Sequence, residues 1–386
     1  MKIEFVGKFY DNHSLSIVNR NIVLEMVKKG QDVKIVPLDA YDPDYGINKE
    51  DIKVLKQAEM LERAEAPDIQ VRHSYPPIWN WPISDETKIV YIQPWEYPKA
   101  PFEWQYKFET FADAVIVPSN YVMDVFSKGG LNPAEGFVVP NGYNDALFNL
   151  EKGDSVEHLN IDSSKFNFVY VGNSQWRKGL DILLNVWANC FKKYDNAKLI
   201  VKDNPRVYGR SNLLQEIINM QYKTGCAEVI YIDDELSDKE MSDIFKASNV
   251  LVHPYRAEGF GMHVQEAVAC GCIPIISANG PTDDFIPNDA GLKLPTQGKA
   301  INITDPSIFA MKPGDAATLM STHTFIQEPK PEELDKALKY VYHSHEKDVM
   351  YDKVKSINTL TNWSTVVDNY IGVFNEVNSR LPKRVR

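Results

Sequence analysis

The sequence predicts an α/β protein built from two Rossmann-like domains, and three observations carry that prediction. Apolar strand-like runs alternate with amphipathic helical stretches almost from end to end, the pattern of parallel sheets covered by helices. At 386 residues the chain exceeds what one hydrophobic core ordinarily holds. The alternation breaks once, at the polar stretch "NLEKGDSVEHLNIDSSK" (149–165), and then starts again.

In the first half the strands read "KIEFVG", "DVKIVPL", "IQVRH", "KIVYIQ", "AVIVPS" and "GFVVPN". Between the first two lies a helical stretch, 16–29, that stops at Gly30, a natural C-cap. After the polar stretch the series is "FNFVYVG", a helix from Leu180, "AKLIVKD", a helix over 213–223 and "EVIYID". A helix over 237–247, "NVLVHP", a glycine-rich loop with its own helix, and "CIPIIS" follow. Residues 311–325 fit neither period and read as an inserted loop. Helices over 332–345 and 363–377 close the chain. The last carries Val366, Val367, Tyr370, Ile371 and Phe374 on one side. The expected domains are residues 1–155 and 156–363.

Composition narrows the function. A net charge of −11 argues against a protein that grips nucleic acid through its phosphates. The basic end "LPKRVR" is short and reads as a frayed tail. Cys190, Cys226, Cys270 and Cys272 form no CxxC pair and read as reduced thiols of a cytoplasmic protein. The start "MKIEFVGKFY" reads as a strand entering a loop and lacks the long apolar stretch of a signal peptide, and no run reaches the roughly 20 apolar residues of a membrane span. Peripheral contact with the inner face of a membrane stays compatible with this. Oligomeric state is not legible.

The chemistry concentrates in "NVLVHPYRAEGFGMHVQEAVACG". A buried strand ends at Pro254. The loop Glu258-Gly259-Phe260-Gly261 follows at its carboxyl end, where open α/β sheets bind ligands. A helix starts at Met262 or His263, and its N-terminal amides and dipole favour an anion. Glu258 and Glu266 then stand beside an anion site. Two carboxylates suit such a place if the ligand also carries vicinal hydroxyls, because an ionised carboxylate accepts strongly from a diol. A nucleotide sugar has a diol at each end and a diphosphate between them. Both glutamates could instead sit there only to favour the helix dipole.

The two glutamates eight positions apart around EGFG resemble the retaining nucleotide-sugar glycosyltransferases of family 4. That family has the GT-B fold, two Rossmann-like domains facing a deep interdomain cleft. "VPSNYVMDVFSKGG", "VVPNGYNDALF", "YVGNSQWRKGLDILLNVW" and "NWSTVVDNYIGVFNEV" extend the resemblance along the chain. It implies that the C-terminal helix, within 364–386, crosses back to the N-terminal domain. It implies that Glu258 contacts hydroxyls of the donor sugar and Glu266 those of the ribose. Gly259, Phe260, Gly261 and Met262 would offer amides, and Arg177 and Lys178 would stabilise charge on the leaving nucleoside diphosphate. Family members carry arginine where this chain has Asn173. Gly7 would lie near the diphosphate, and the backbone around Ile232 and Asp233 would face the base. The donor would be UDP- or GDP-linked, with no cofactor and no metal. The pairs Asp233–Asp234 and Asp283–Asp284 read as solvated turns.

The acceptor-binding side would lie in the N-terminal domain, its acceptor a glycan, glycolipid or glycoprotein. His13 follows the first strand. Trp79, Trp81 and Trp95 stand in aromatic loops that could be sugar platforms or loop packing. Glu96 occupies the region where relatives carry a histidine. The rivals are a hydrolase using the two glutamates as acid and base, and a catalytically silent nucleotide-sugar-binding subunit, which Asn173 keeps in play.

Overall fold

A computed structural model describes residues 1–82, 84–208, 212–302 and 323–383. The chain forms two compact units. The first holds Met1–Gly142 and the C-terminal segment from Thr361; the second begins at Tyr143 and ends at Leu360.

In the first unit the order is β1 (Lys2–Gly7), α1 (Ser14–Lys28), β2 (Asp32–Pro37), α2 (Lys49–Glu59), β3 (Ile69–His73), β4 (Lys88–Ile92), α3 (Phe102–Phe111), β5 (Ala114–Val117), α4 (Asn120–Lys128) and β6 (Gly136–Val138). All six strands are parallel in the order β2-β1-β3-β4-β5-β6. The winding reverses between β1 and β3, where Gly7 pairs in register with His73. Gly30 ends α1 as expected, at φ +73° with its amide on the Val27 carbonyl.

The second unit runs β7 (Phe166–Val171), α5 (Leu180–Cys190), β8 (Ala197–Lys202), α6 (Leu213–Thr224), β9 (Val229–Ile232), α7 (Asp238–Lys246), β10 (Val250–His253), α8 (Met262–Ala269), β11 (Ile273–Ser277) and β12 (Leu292–Leu294). Its sheet is also parallel, ordered β12-β11-β10-β7-β8-β9, with the reversal between β7 and β10. This is the order of a doubly wound nucleotide-binding sheet. Its strands are apolar without alternation because helices cover both faces; Val250, Leu251, Val252, Ile273, Ile275 and Ile276 are all fully buried. Ser237 and Glu240 form a capping box that starts α7.

An antiparallel hairpin, β13 (Thr296–Asn302) and β14 (His323–Pro329), stands outside the main sheets. The sequence gives no warning of it. The inserted loop expected at 311–325 lies mostly outside the described residues, and 323–325 belong to β14.

α9 (Pro331–His343) and α10 (Lys347–Lys355) belong to the second unit, whereas α11 (Trp363–Asn378) belongs to the first. α11 packs on α1, with Lys29 paired to Asp368 at 2.9 Å. Trp363, Val366, Val367, Tyr370, Phe374 and Val377 are buried there, each contributing about 1.5–3 kcal/mol by leaving water. Ile371, expected on the same face, is half-buried at its edge. Two Rossmann-like sheets with a last helix returned to the first unit are the GT-B architecture.

Candidate functional site

β7 and β10 are neighbours at the point where the strand order of the second sheet reverses, and the loops leaving their carboxyl ends stand where sheets of this kind bind ligands. Those loops are 172–179 and 254–261. The first closes in the turn Trp176–Lys178 and enters α5 through Gly179. Gly179 has φ +77°, and a Cβ there would stand 1.9 Å from the Pro254 carbonyl oxygen, so only glycine fits.

The two loops are bonded to one another. The amides of Arg256 and Ala257 donate to the Arg177 carbonyl at 2.7 and 3.3 Å, and Arg177 Nη1 donates to the Ala257 carbonyl at 3.2 Å. Arg256 is buried. Its guanidinium grips both oxygens of Asp181 at 2.7 Å, Glu328 on β14 at 2.7 and 3.1 Å, and the Trp176 carbonyl at 2.6 Å. Paired forks of this kind fix orientation as well as add energy. They tie α5 and the hairpin to the residue two before Glu258.

Glu258 is 7% exposed. The Lys178 ammonium donates to its Oε2, His253 Nε2 lies 3.3 Å from the same oxygen, and Gly259 N donates to Oε1 at 3.0 Å. Arg177 Nη1 stands 3.9 Å from Oε1. Burial alone would raise the Glu258 carboxyl. The Lys178 charge, the His253 hydrogen bond and Arg177 outweigh it and hold Glu258 well below the usual carboxylate range.

Glu266 is the opposite case. It lies in the second turn of α8, half-buried, and no described residue donates to its carboxylate. Burial first, and the Asp238 charge second, push its carboxyl up to about 8. The two glutamates therefore flank the glycine turn with opposite tendencies, one fixed as an anion and one favouring its proton. Between them Phe260 is buried against Phe285, ring centroids 5.1 Å apart. Gly261, at φ +94°, starts α8, with Met262 its first residue. The first amides of a helix have no partner within it.

Other sequence-singled residues do structural work. Asn173 accepts from Gln175 N at 3.0 Å through its side-chain oxygen, an Asx turn that shapes the loop. It supplies no charge, and the cations near Glu258 are Arg177 and Lys178. The Ile232 carbonyl accepts from Asp203 N at 2.9 Å. In the first unit, a Cβ on Gly7 would lie 2.5 Å from Asn19 Nδ2 and 2.7 Å from the His73 carbonyl, so close packing at the strand switch demands glycine. His13 caps α1, its Nδ1 accepting from Leu15 N at 3.2 Å.

The aromatic loops divide. Trp95 is 4% exposed, its ring against Tyr97 and Trp104 and its N–H on the Lys99 carbonyl. It is loop packing and presents no platform at the surface. Trp79 is half-buried against Tyr91 and Phe108, and Trp81 is 39% exposed beside Phe111. Arg72 pins this loop by donating to the Ile78 and Asn80 carbonyls. Glu96 is half-buried, and its carbonyl accepts from Tyr121.

Sequence reading missed His253, His263, Arg256 and Asp181. A histidine ending the otherwise apolar "VLVH" and a second ten positions later, at a helix start, were the available signal. His253, Glu258 and His263 form the one group among the described residues with donor atoms close enough for a metal ion, within 4.8 Å of one another. Among the described residues no helix is long and apolar enough to cross a membrane.

Residues 151–304, which contain both loops, match the family model described as Glycosyl transferases group 1. The chain is similar to the D-inositol 3-phosphate glycosyltransferase of Segniliparus rotundus, 26% identical over 148 residues, 38% of this chain and 32% of that one. It spans between about a third and a half of the length of the curated relatives it matches. The crystal structure of Anabaena HepE in complex with UDP-glucose is similar with a TM-score of 0.65 and 13% identity, over 97% of this chain and 100% of that one. The sucrose-phosphate synthase of Thermosynechococcus elongatus has a TM-score of 0.65 at 14% identity, over 98% and 100%. At these identities the structural likeness establishes the fold.

Proposed function

We propose that the chain is a retaining hexosyltransferase of family 4, moving a sugar from a UDP- or GDP-linked donor to a hydroxyl of a carbohydrate-containing acceptor, without a metal. The observation that carries this reading is the Lys178–Glu258 pair beside the glycine turn at the strand switch point. A buried carboxylate fixed as an anion is a strong acceptor for sugar hydroxyls. The adjoining cations and helix start suit a leaving diphosphate. Family-model and fold similarity to glycosyltransferases support the same reading.

In this mechanism Glu258 accepts from hydroxyls of the donor sugar and Glu266 from the ribose diol. Phe260, Gly261 and Met262 present backbone amides to the diphosphate. The bond from the anomeric carbon to the phosphate oxygen breaks, and Arg177 and Lys178 stabilise the charge on the departing diphosphate. The acceptor oxygen forms its bond on the same face. Its proton passes to the departing phosphate oxygen. The protein contributes orientation and charge stabilisation, not a nucleophile. Trp79, Trp81, Glu96 and His13 form the acceptor side, with Trp95 supporting their loop.

The opposite tendencies of Glu258 and Glu266 also suit an acid–base hydrolase. Two substitutions separate the readings. In a transferase, Glu266→Ala weakens binding of the nucleoside diphosphate itself, whereas Glu258→Ala leaves nucleotide affinity within about threefold and lowers transfer at least about 100-fold. Sugar release to water from nucleotide-free glycosides, lost equally in both variants, would mark a hydrolase.

A further inference from the structure

Two histidines, His253 and His263, stand beside Glu258. His253 closes β10 and is completely enclosed, 0% exposed; His263 stands half-buried in the first turn of α8. Their rings meet edge to face with centroids 4.2 Å apart. His253 Nδ1 and His263 Nε2 are buried without a hydrogen-bond partner, a condition folded proteins seldom tolerate without a purpose. His253 Nε2 is 3.3 Å from Glu258 Oε2. One donor atom from each of His253, Glu258 and His263 lies within 4.8 Å of the other two. Two imidazoles and one carboxylate make the three-ligand set of an open zinc site.

We propose that His253, Glu258 and His263 form an inhibitory site for a divalent transition-metal ion of the zinc class, bound through one nitrogen of each imidazole and one oxygen of Glu258. Metal–ligand bonds of about 2.0–2.1 Å need donors roughly 3.3 Å apart; His253 Nε2 and Glu258 Oε2 already stand at 3.3 Å, so His263 is the donor that draws in on binding. His263, in the first turn of its helix and half-buried as a residue, is the ligand placed to move. The ion competes with Lys178, because Glu258 Oε2 already serves both the ammonium and His253. Arg177 adds a second positive charge nearby. The site is accordingly weaker than a structural zinc site. It selects by ligand type: nitrogen donors favour zinc, cobalt, nickel and copper over magnesium and calcium. Binding is independent of the proposed reaction. Inhibition rests on that reading, because the ion takes from Glu258 the oxygen meant for the sugar hydroxyls.

Titration of the full chain with Co²⁺, with a phosphine reductant keeping the thiols reduced, tests the site. A visible d–d band should saturate near one equivalent and bleach on addition of Zn²⁺. His263→Ala and His253→Gln should each weaken Co²⁺ binding at least about tenfold, with far-UV dichroism and unfolding cooperativity checking the fold of each. Affinity in His263→Ala within twofold of wild type overturns the site, as does thiolate charge-transfer absorption, which would place the ion on cysteine. In the transfer assay, Zn²⁺ at saturating level should slow the wild type at least about tenfold relative to its metal-free rate, and His263→Ala much less. Saturable metal binding with an unchanged transfer rate refutes the inhibition, and a chain that transfers no sugar at all leaves the spectroscopic arm decisive for the site.

Discussion

Replacing Glu266 by glutamine tests how the nucleotide is held. Burial, then the neighbouring Asp238 charge, push the Glu266 carboxyl up from 4.5 to about 8. The folded-state value of this acid lies above its unfolded value. Ionising it therefore costs the ligand-free protein stability as pH rises from 4.5 toward 8, and the loss levels off above 8. At about 1.36 kcal/mol per pH unit the ceiling of that cost is about 5 kcal/mol, and solvent screening of a half-buried group brings it to roughly 2–3 kcal/mol. Ribose hydroxyls donate hydrogen bonds, and they donate most strongly to the anion. Nucleotide binding should thus expel the proton. At pH 7 about nine-tenths of the ligand-free protein carries it, so binding should release close to one proton from Glu266. Wild-type affinity for UDP or GDP should then rise between pH 6 and 8, by up to about tenfold per unit, and flatten above. Titration calorimetry in buffers of different ionisation enthalpy reads the proton count directly. The diphosphate's own ionisation is common to wild type and Glu266→Gln and drops out of their difference. Equal proton release in the two proteins would refute the assignment of Glu266 to the ribose.

Two further outcomes follow from packing. Lys178→Ala leaves the Glu258 carboxylate buried without its main counter-charge and should cost about 3–5 kcal/mol at pH 7. In wild type the Glu258 value is depressed, so its stabilisation is present above 4.5 and is lost as pH falls toward the depressed value. The gap between the two proteins in urea unfolding should therefore narrow as pH falls below 4.5. Trp95→Ala should cost about 3–5 kcal/mol in stability as a core truncation, whereas the exposed Trp81→Ala should stay within about 1 kcal/mol and instead raise the acceptor KM.

Where sequence alone was legible, its signals were local. Gly30 ends α1 as read, because a cap is written within a few residues of the boundary it sets. The EGFG loop could be placed for the same reason: strand, turn and helix are contiguous. What surrounds Glu258 is not contiguous. Lys178 is 80 positions away and meets it only because β7 and β10 are neighbours in the sheet. The hairpin β13–β14 pairs residues as far apart as Thr296 and Pro329, and no local period announces such a pairing. Trp95 shows a third limit. A tryptophan after a strand end reads alike as sugar platform or as packing, and the burial of Trp95 beside Trp104 on α3 comes from residues nine positions on and a helix away.

Transfer from a nucleotide donor with the anomeric configuration of the sugar kept is what sets a retaining hexosyltransferase apart from its rivals. The direct measurement presents a panel of UDP- and GDP-sugars with hydroxyl acceptors to the full chain and reads the new linkage by NMR coupling at the anomeric carbon. The product should keep the configuration of the donor, form without added metal and be lost in Glu258→Ala. An inverted linkage, or no nucleoside diphosphate released from any donor that binds, would contradict it.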